Sequence, residues 1–476
     1  MSLVEREIWP REGHPYRRLL DIAGWEPERL RRSIEEQGLE PTLEKLVDAG
    51  VYLRSDEIRC RVPLVRRGTE IRFSPVDLER VHGPAVPLGS SGSSGPSTKN
   101  PFDLASFKTQ ASYLGVMLEA LGAVGLPVVL YYPAPSAAGI VQVVAFALAG
   151  RPVSAWFCHL PERGSSQAQW GTWLRVLAAA SRLRGVRLQV PTTAPVDRPA
   201  PLVAWLAEHA HDGALVLSFP GSALRVQSYA DANGMALPRL VWVLGGEPIT
   251  PKKRQMLERS GHRVYPWYGA VDAGRIAIGC LSPQAPDDMH VLGDRFAAVV
   301  PGQALAVRGR LLLTTIAAGV HKLLLNADIG DTAQAAGGRC GCALEGLGVG
   351  ARIRRIRSVE KLTLDGITLP ADLVCELAEE VLPAACGGSP GDFQITESEG
   401  EDGRTRLVIR VHPDLETDER AVMRAVERIL VDAVGGFSDM SDLLRRGGAI
   451  EVRRERPRWS AGGKLLSLES GPERSR

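Results

Sequence analysis

Leu240-Val241-Trp242-Val243-Leu244-Gly245-Gly246-Glu247-Pro248 runs from five apolar residues straight into a glycine pair and an acid. The apolar run is short enough for a strand, and the glycines end it. Similar runs lie upstream at Val128-Val129-Leu130-Tyr131-Tyr132, Pro152-Val153-Ser154-Ala155-Trp156-Phe157, Val186-Arg187-Leu188-Gln189-Val190 and Ala214-Leu215-Val216-Leu217-Ser218. Helical stretches over 168–182 and 199–210 lie between them. This alternation predicts a parallel sheet covered by helices, so the fold class is α/β.

Either side of that block the pattern changes. Residues 1–80 read as short helices, with helical spacing at Pro27 to Ile34 and Leu43 to Val47. A stretch of small residues spans Leu88 to Thr98, and a long amphipathic segment follows over 103–123. From about 290 to 335 the chain is β-rich, including Arg310-Leu311-Leu312-Leu313-Thr314-Thr315 and Lys322-Leu323-Leu324-Leu325. The last hundred residues predict a small α+β unit, with strands at 407–411 and 449–453 and a helix at 417–434. The charged stretch 395–404 reads as a solvated hairpin.

A chain of 476 residues is long enough for two or three units. Hydrophobic content of 44% and charged content of 24% are globular values. A net charge of +2 supplies no electrostatic footprint for nucleic acid. The charged opening MSLVEREIWPREGH has no apolar signal region, and the most apolar stretch, Pro127 to Gly150, is interrupted by Pro133, Pro135 and Gln142. The expectation is a soluble cytoplasmic protein without membrane or nucleic-acid partners. Only eight of the 57 basic residues are lysines, so a well-placed lysine is informative. Seven cysteines suggest metal binding or burial in preference to a disulfide framework.

Ser90-Ser91-Gly92-Ser93-Ser94-Gly95 suits a phosphate cradle, because glycine backbone and hydroxyl groups both offer donors to an anion. It reads equally as a flexible linker. Five further motifs follow it in order, and together they carry a resemblance. They are Gly245-Gly246-Glu247-Pro248, Trp267-Tyr268-Gly269-Ala270-Val271-Asp272, Ile329-Gly330-Asp331, Ile356-Arg357-Ser358-Val359-Glu360-Lys361 and Trp459-Ser460-Ala461-Gly462-Gly463-Lys464.

Over most of its length the chain resembles AMP-forming adenylate-forming enzymes, in particular the phenylacetate–coenzyme A ligase branch. The resemblance implies that Ser90 to Gly95, with Lys99 just beyond, grips the phosphates of ATP. Gly245, Gly246 and Glu247 would flank the adenine. Tyr268 and Gly269 would lie near the base, and Asp272 would help to hold Mg2+. Asp331 would accept hydrogen bonds from the ribose hydroxyls, and Arg357 would meet the nucleotide. Lys464, on a tail loop, would bridge the carboxylate and the α-phosphate. The chain departs from the family where Val271 replaces Thr, Asp272 replaces Glu, Ile329 replaces Thr and Val359 replaces the hinge Asp.

Cys280, His290, Cys340 and Cys342 form a second constellation, Cys-x9-His followed by Cys-x-Cys. Three thiolates and an imidazole predict a closed, structural zinc site. Cys60, Cys158, Cys375 and Cys386 lack ligand-like spacing and read as buried hydrophobes.

The expected architecture is a large, multi-sheet adenylation domain over 1–358 with a β-rich subdomain, followed by a small mobile α+β domain over 359–476. The implied reaction joins an aryl or other organic carboxylate to ATP and releases pyrophosphate. In the family, coenzyme A commonly takes the activated group, and an acyl-carrier protein or another acceptor can replace it. Adenylation of nitrous acid for diazotisation of an aryl amine, or a nucleotide-binding relative without turnover, stand as alternatives.

Overall fold

The computed structural model describes the chain apart from residues 1–2, 82, 90–98, 134–136, 160–173, 177, 180, 183–184, 186, 303–308, 318, 346–348, 350, 359–360, 365–366, 434–446, 459–467 and 470–476. The chain divides into two compact units. The first comprises Met1–Leu88, Thr98–Ala120 and Tyr265–Ser358. The second comprises Gly89–Ser97, Leu121–Val264 and Val359–Arg476.

The first unit begins with the helices Pro15–Ala23, Pro27–Gln37 and Leu39–Asp48. Proline opens two of them, where its missing N–H costs no helical hydrogen bond. Their apolar stripes, among them Leu19, Leu30, Leu43 and Leu46, share a core with Leu311, Leu313, Leu324 and Ile353. That core backs an antiparallel sheet in the order Phe296–Val299, Gly309–Thr315, Ala327–Ala336, Arg352–Ser358, Met289–Val291, Gly274–Gly279, Arg263–Ala270.

Three local expectations change here. Residues 1–80 are not wholly helical, because Leu64–Arg66 and Thr69–Ile71 form a hairpin. Its turn residues Arg67 and Gly68 both take positive φ, which suits a tight hairpin turn. The amphipathic segment 103–123 is two helices, Leu104–Ala111 and Leu114–Ala120, instead of one. Lys322 to Leu325 forms no ladder strand; Lys322 makes an isolated bridge to Glu79, and the Leu323 N–H donates to the Leu78 carbonyl at 2.7 Å.

The second unit holds a parallel sheet in the order Leu240–Leu244, Ala214–Ser218, Val128–Tyr131, Ala155–Cys158, Thr192–Thr193. Four of these five strands account for the apolar signal in the sequence: every residue of Val128–Tyr131, Ala155–Cys158, Ala214–Ser218 and Leu240–Leu244 is buried. The helices Ala137–Leu148, Ala200–His209 and Pro220–Ala232 lie between them in sequence, and Pro251–Arg259 follows the last. The expected strand at 186–190 is not formed among the described residues; the edge strand is Thr192–Thr193, paired with Phe157 and Cys158. Much of the expected helix over 168–182 lies outside the described residues.

The C-terminal part of this unit carries Phe393–Glu399 and Thr405–Val411 as an antiparallel pair, with Ile450–Arg454 parallel to the second. The helix Glu419–Ala433 follows the pair. The expected solvated hairpin at 395–404 is half right. The turn is there, but Ile395 and Thr396 are buried in the sheet. Beside it, Lys252 Nζ donates to the Gly400 carbonyl at 3.0 Å, and the buried Lys253 donates to Thr405 Oγ1 at 2.7 Å. Among the described residues no helix is long and apolar enough to cross a membrane.

Candidate functional site

In the first unit the structure brings Tyr268 and Asp331 together. Tyr268 lies on Arg263–Ala270, next to a register shift between Tyr268 and Gly269. Asp331 lies on Ala327–Ala336, opposite Ser358. Both side chains are buried, and the Tyr268 phenol donates to Asp331 Oδ2 at 2.6 Å. Burial, reinforced by the Asp331 charge, raises Tyr268 well above the ordinary phenol range, so it is a neutral donor. Gly330, at φ +90°, turns the chain just before Asp331, and its N–H donates to Asp328 Oδ1 at 2.8 Å. Gly269 is boxed in: a Cβ there would come within 2.7 Å of the Gly274 carbonyl.

Arg357 runs on the strand beside Asp331. Its guanidinium lies 3.8 Å from Asp287, and its carbonyl accepts from Thr332 Oγ1 at 3.1 Å. Burial raises the Asp287 carboxyl above the usual aspartate range despite that cation. Asp272 takes a different partner. Its Oδ1 accepts from Lys322 Nζ at 2.5 Å and from Asn100 Nδ2 at 3.2 Å. Burial favours the neutral acid, but Lys322 outweighs it and holds Asp272 below the ordinary value. Sequence reasoning passed over Lys322 as a site residue. The available signal was a lysine at the head of an apolar run in a chain with few lysines.

The Cys/His constellation is also assembled in this unit. The ligand atoms of Cys280, His290, Cys340 and Cys342 all lie within 4.8 Å of one another. The His290 ring places Nε2 at 3.4 Å from Cys340 Sγ and 3.3 Å from Cys342 Sγ. Its Nδ1 lies 3.3 Å from the Val349 carbonyl, an arrangement that assigns the proton to Nδ1 and leaves Nε2 as a lone-pair donor. Glu345 accepts the N–H groups of Cys340 and Gly341 at 2.7 and 3.0 Å, which holds the knuckle in shape. Burial pushes the Cys280 thiol up to about 12, so a thiolate there needs a cation beside it. Of the remaining cysteines, Cys158 and Cys386 are buried as expected and Cys375 is half-buried. Cys60 is exposed instead, in a turn with positive φ.

In the second unit the parallel strands reverse their order between Val128–Tyr131 and Ala214–Ser218. Crevices at the carboxyl ends of such strands are where open α/β sheets take ligands. Here Ser218 Oγ donates to the Tyr131 carbonyl at 2.9 Å, and the Tyr132 phenol donates to the Ser218 carbonyl at 3.3 Å. Phe219 packs edge-on to Tyr132 with centroids 5.0 Å apart. The Gly245–Glu247 turn lies at the next strand end. Gly246, at φ +81°, has no room for a Cβ, which would come within 2.8 Å of the Phe219 ring. Glu247 is buried, and its Oε2 accepts the Gly221 N–H at 3.0 Å, a negative charge set on the first turn of Pro220–Ala232. Ser90, Ser91, Gly92, Ser93, Ser94, Gly95, Val359 and Lys464 lie outside the described residues.

No family model matches the chain, and no curated protein does. Among solved structures, 2-hydroxyisobutyryl-CoA ligase in complex with 2-HIB-AMP and CoA matches with a TM-score of 0.58 at 16% identity, over 98% of this chain and 87% of that one. The chain has the adenylate-forming ligase fold. The amide bond synthetase McbA from Marinactinospora thermotolerans matches less well, with a TM-score of 0.41 at 13% identity over 96% and 92% of the two chains. Only the first likeness is close enough to assign the adenylate-forming fold.

The Tyr268–Asp331 contact can be checked on the free protein. A hydrogen bond to a charged group contributes about 1.5–3 kcal/mol, so Tyr268→Phe should lower the unfolding free energy by roughly that amount. An unfolding free energy equal to wild type, measured by denaturant titration, would mean that the contact is absent in solution.

Proposed function

We propose that the protein activates an organic acid, with an aryl carboxylate the first candidate, by joining it to ATP as an acyl-adenylate with release of pyrophosphate. The observation that carries this reading is the adenylate-forming fold over the whole chain, with Tyr268 and Asp331 joined on it. The 2-hydroxyisobutyryl-CoA ligase it matches was solved with an acyl-AMP and CoA. Coenzyme A is accordingly the proposed acceptor.

In this reading a carboxylate oxygen of the acid attacks the α-phosphorus of ATP, and the bond to pyrophosphate breaks. Asp331 receives the ribose hydroxyls; both carboxylate oxygens can accept, and one is already supplied by the Tyr268 phenol. Gly245 to Glu247 shape the adenine edge, and Arg357 meets the nucleotide. Ser90 to Gly95 grip the phosphates. Residues 359–476 form the small domain, and its Lys464 ammonium meets the charge that develops at the α-phosphate. ATP enters as its magnesium complex.

The Cys280, His290, Cys340 and Cys342 set is proposed to hold zinc. Zn–S bonds of about 2.3 Å and Zn–N bonds of about 2.0–2.1 Å put tetrahedral donors about 3.5–3.8 Å apart, close to the spacing found between His290 and its two thiols. Four protein donors leave no open position, so the role is structural.

Three experiments test these assignments. Pyrophosphate release should depend on one acid in a panel of aryl, fatty and amino acids; a positive result confined to nitrite plus an aryl amine would replace the carboxylate by nitrous acid. In Lys464→Ala the release should fall by about 10²–10³, the usual loss for one such electrostatic group, while product formation from preformed adenylate survives. Equal losses in both assays would remove Lys464 from the first half-reaction. For the metal, purified protein should hold about one zinc per chain, and Cys340→Ser should lose it along with stability. Well-folded, active protein without zinc would remove the site.

A further inference from the structure

The Asp272 carboxylate is where the family resemblance puts a ligand for Mg2+, and the residues around it do not fit that task. Lys322, Asp272 and Asn100 close a three-membered ring of hydrogen bonds. Lys322 Nζ donates to Asp272 Oδ1 at 2.5 Å and to Asn100 Oδ1 at 3.1 Å, and Asn100 Nδ2 donates to the same Asp272 oxygen at 3.2 Å. Lys322 is only 2% exposed. Its backbone is pinned as well, because its carbonyl accepts from Thr315 Oγ1 at 2.9 Å and the residue bridges Glu79. The ammonium is thus held inside the protein, against Asp272 and Asn100.

The charges around Asp272 already include cations of the protein's own. The Asp272 carboxylate feels Lys322 and Arg59, and Lys322 also faces Glu79. Cys60 senses both Asp77 and Lys322, and Asp103 acts on His321. His321 is neutral, since burial drops it to about 4, and its Nε2 lies 2.8 Å from the Val271 carbonyl. Asp272 therefore already has two cations, Lys322 and Arg59, acting on it, with Glu79, Asp77 and Asp103 as the other acids of the neighbourhood. Magnesium sits about 2.0–2.1 Å from a carboxylate oxygen, which would crowd a second cation onto a half-buried carboxylate that Lys322 already holds.

We propose that Lys322 is the resident cation of Asp272, so that this carboxylate is a positioning residue and not a metal ligand. The inference rests on the adenylation reading for its place in the site. The magnesium of the nucleotide is then held by the phosphates and by groups other than Asp272. Lys322 and Asn100 fix the Val271–Asp272 corner, next to Tyr268, by a charge that does not depend on metal concentration.

Binding of Mn2+ as a probe of the divalent site separates the two arrangements. It is measured by water-proton relaxation on the full chain, with and without a non-hydrolysable ATP analogue. Asp272→Asn should bind Mn2+ within about twofold of wild type in both conditions, because no ligand is lost. Lys322→Met should bind Mn2+ at least about tenfold more tightly than wild type without nucleotide, because it frees a half-buried carboxylate. A loss of about tenfold or more in Asp272→Asn would overturn the proposal, since a ligand would then have been removed. If Lys322→Met does not fold, the double variant Lys322→Met, Asp272→Asn should fold and match wild type in Mn2+ binding; weaker binding there would also overturn it. Failure of every variant and of wild type to bind the ATP analogue would count against the adenylation reading alone, because the nucleotide-free comparison still reads the ion pair.

Discussion

A carboxylate removed from water has to be met by a cation or by donors, and the first unit is arranged around that demand. Asp331 is met by a phenol, Asp272 by an ammonium and an amide, and Asp288 by the Arg352 guanidinium at 3.6 Å together with backbone N–H groups of Gln284 and Ala285. These acids lie on, or next to, the antiparallel strands of that unit. The pairing fixes each acid in one rotamer. Preorganised polar groups of this kind are what nucleotide chemistry uses, because little reorganisation is left to be done when charge develops.

Much of this was legible in the chain, for a physical reason. Strands buried on both faces carry a continuous apolar signal, so Val128–Tyr131, Ala214–Ser218 and Leu240–Leu244 stood out. The sheet's edge did not. Arg187 and Gln189 break the apolar run, and the true edge, Thr192–Thr193, is two polar residues placed only by pairing with Phe157 and Cys158. The stretch 395–404 misled in the opposite sense, because its acids suggest solvent although Ile395 and Thr396 are buried and Glu397 and Glu399 are half-buried. Helix Leu104–Ala111 stops at Ser112, although apolar periodicity continues through Leu114–Ala120.

The candidate site divides along the same line. Cys340 and Cys342 are neighbours in sequence, and their ligand type announces itself, so the four-residue set was readable and the structure assembles it. Pairings between distant segments were not readable. Nothing local joins Asn100 to Asp272 and Lys322, which are brought together by the fold. Glu247 was read as part of an adenine-flanking turn. Its structural duty, a charge on the first turn of Pro220–Ala232, depends on a helix that starts 27 residues earlier in the chain. Both duties sit at the carboxyl end of a parallel strand, where the sheet leaves backbone groups and side chains facing a ligand.

The central claim is that an acid oxygen becomes bonded to the α-phosphorus of ATP. Once the acid is known, its carboxylate can be labelled with ¹⁸O and the products analysed by mass spectrometry after transfer to the acceptor. Attack on the α-phosphorus leaves one labelled oxygen in AMP, and the pyrophosphate unlabelled. Label in inorganic phosphate with ADP as the nucleotide product, or AMP formed without label, would contradict adenylation.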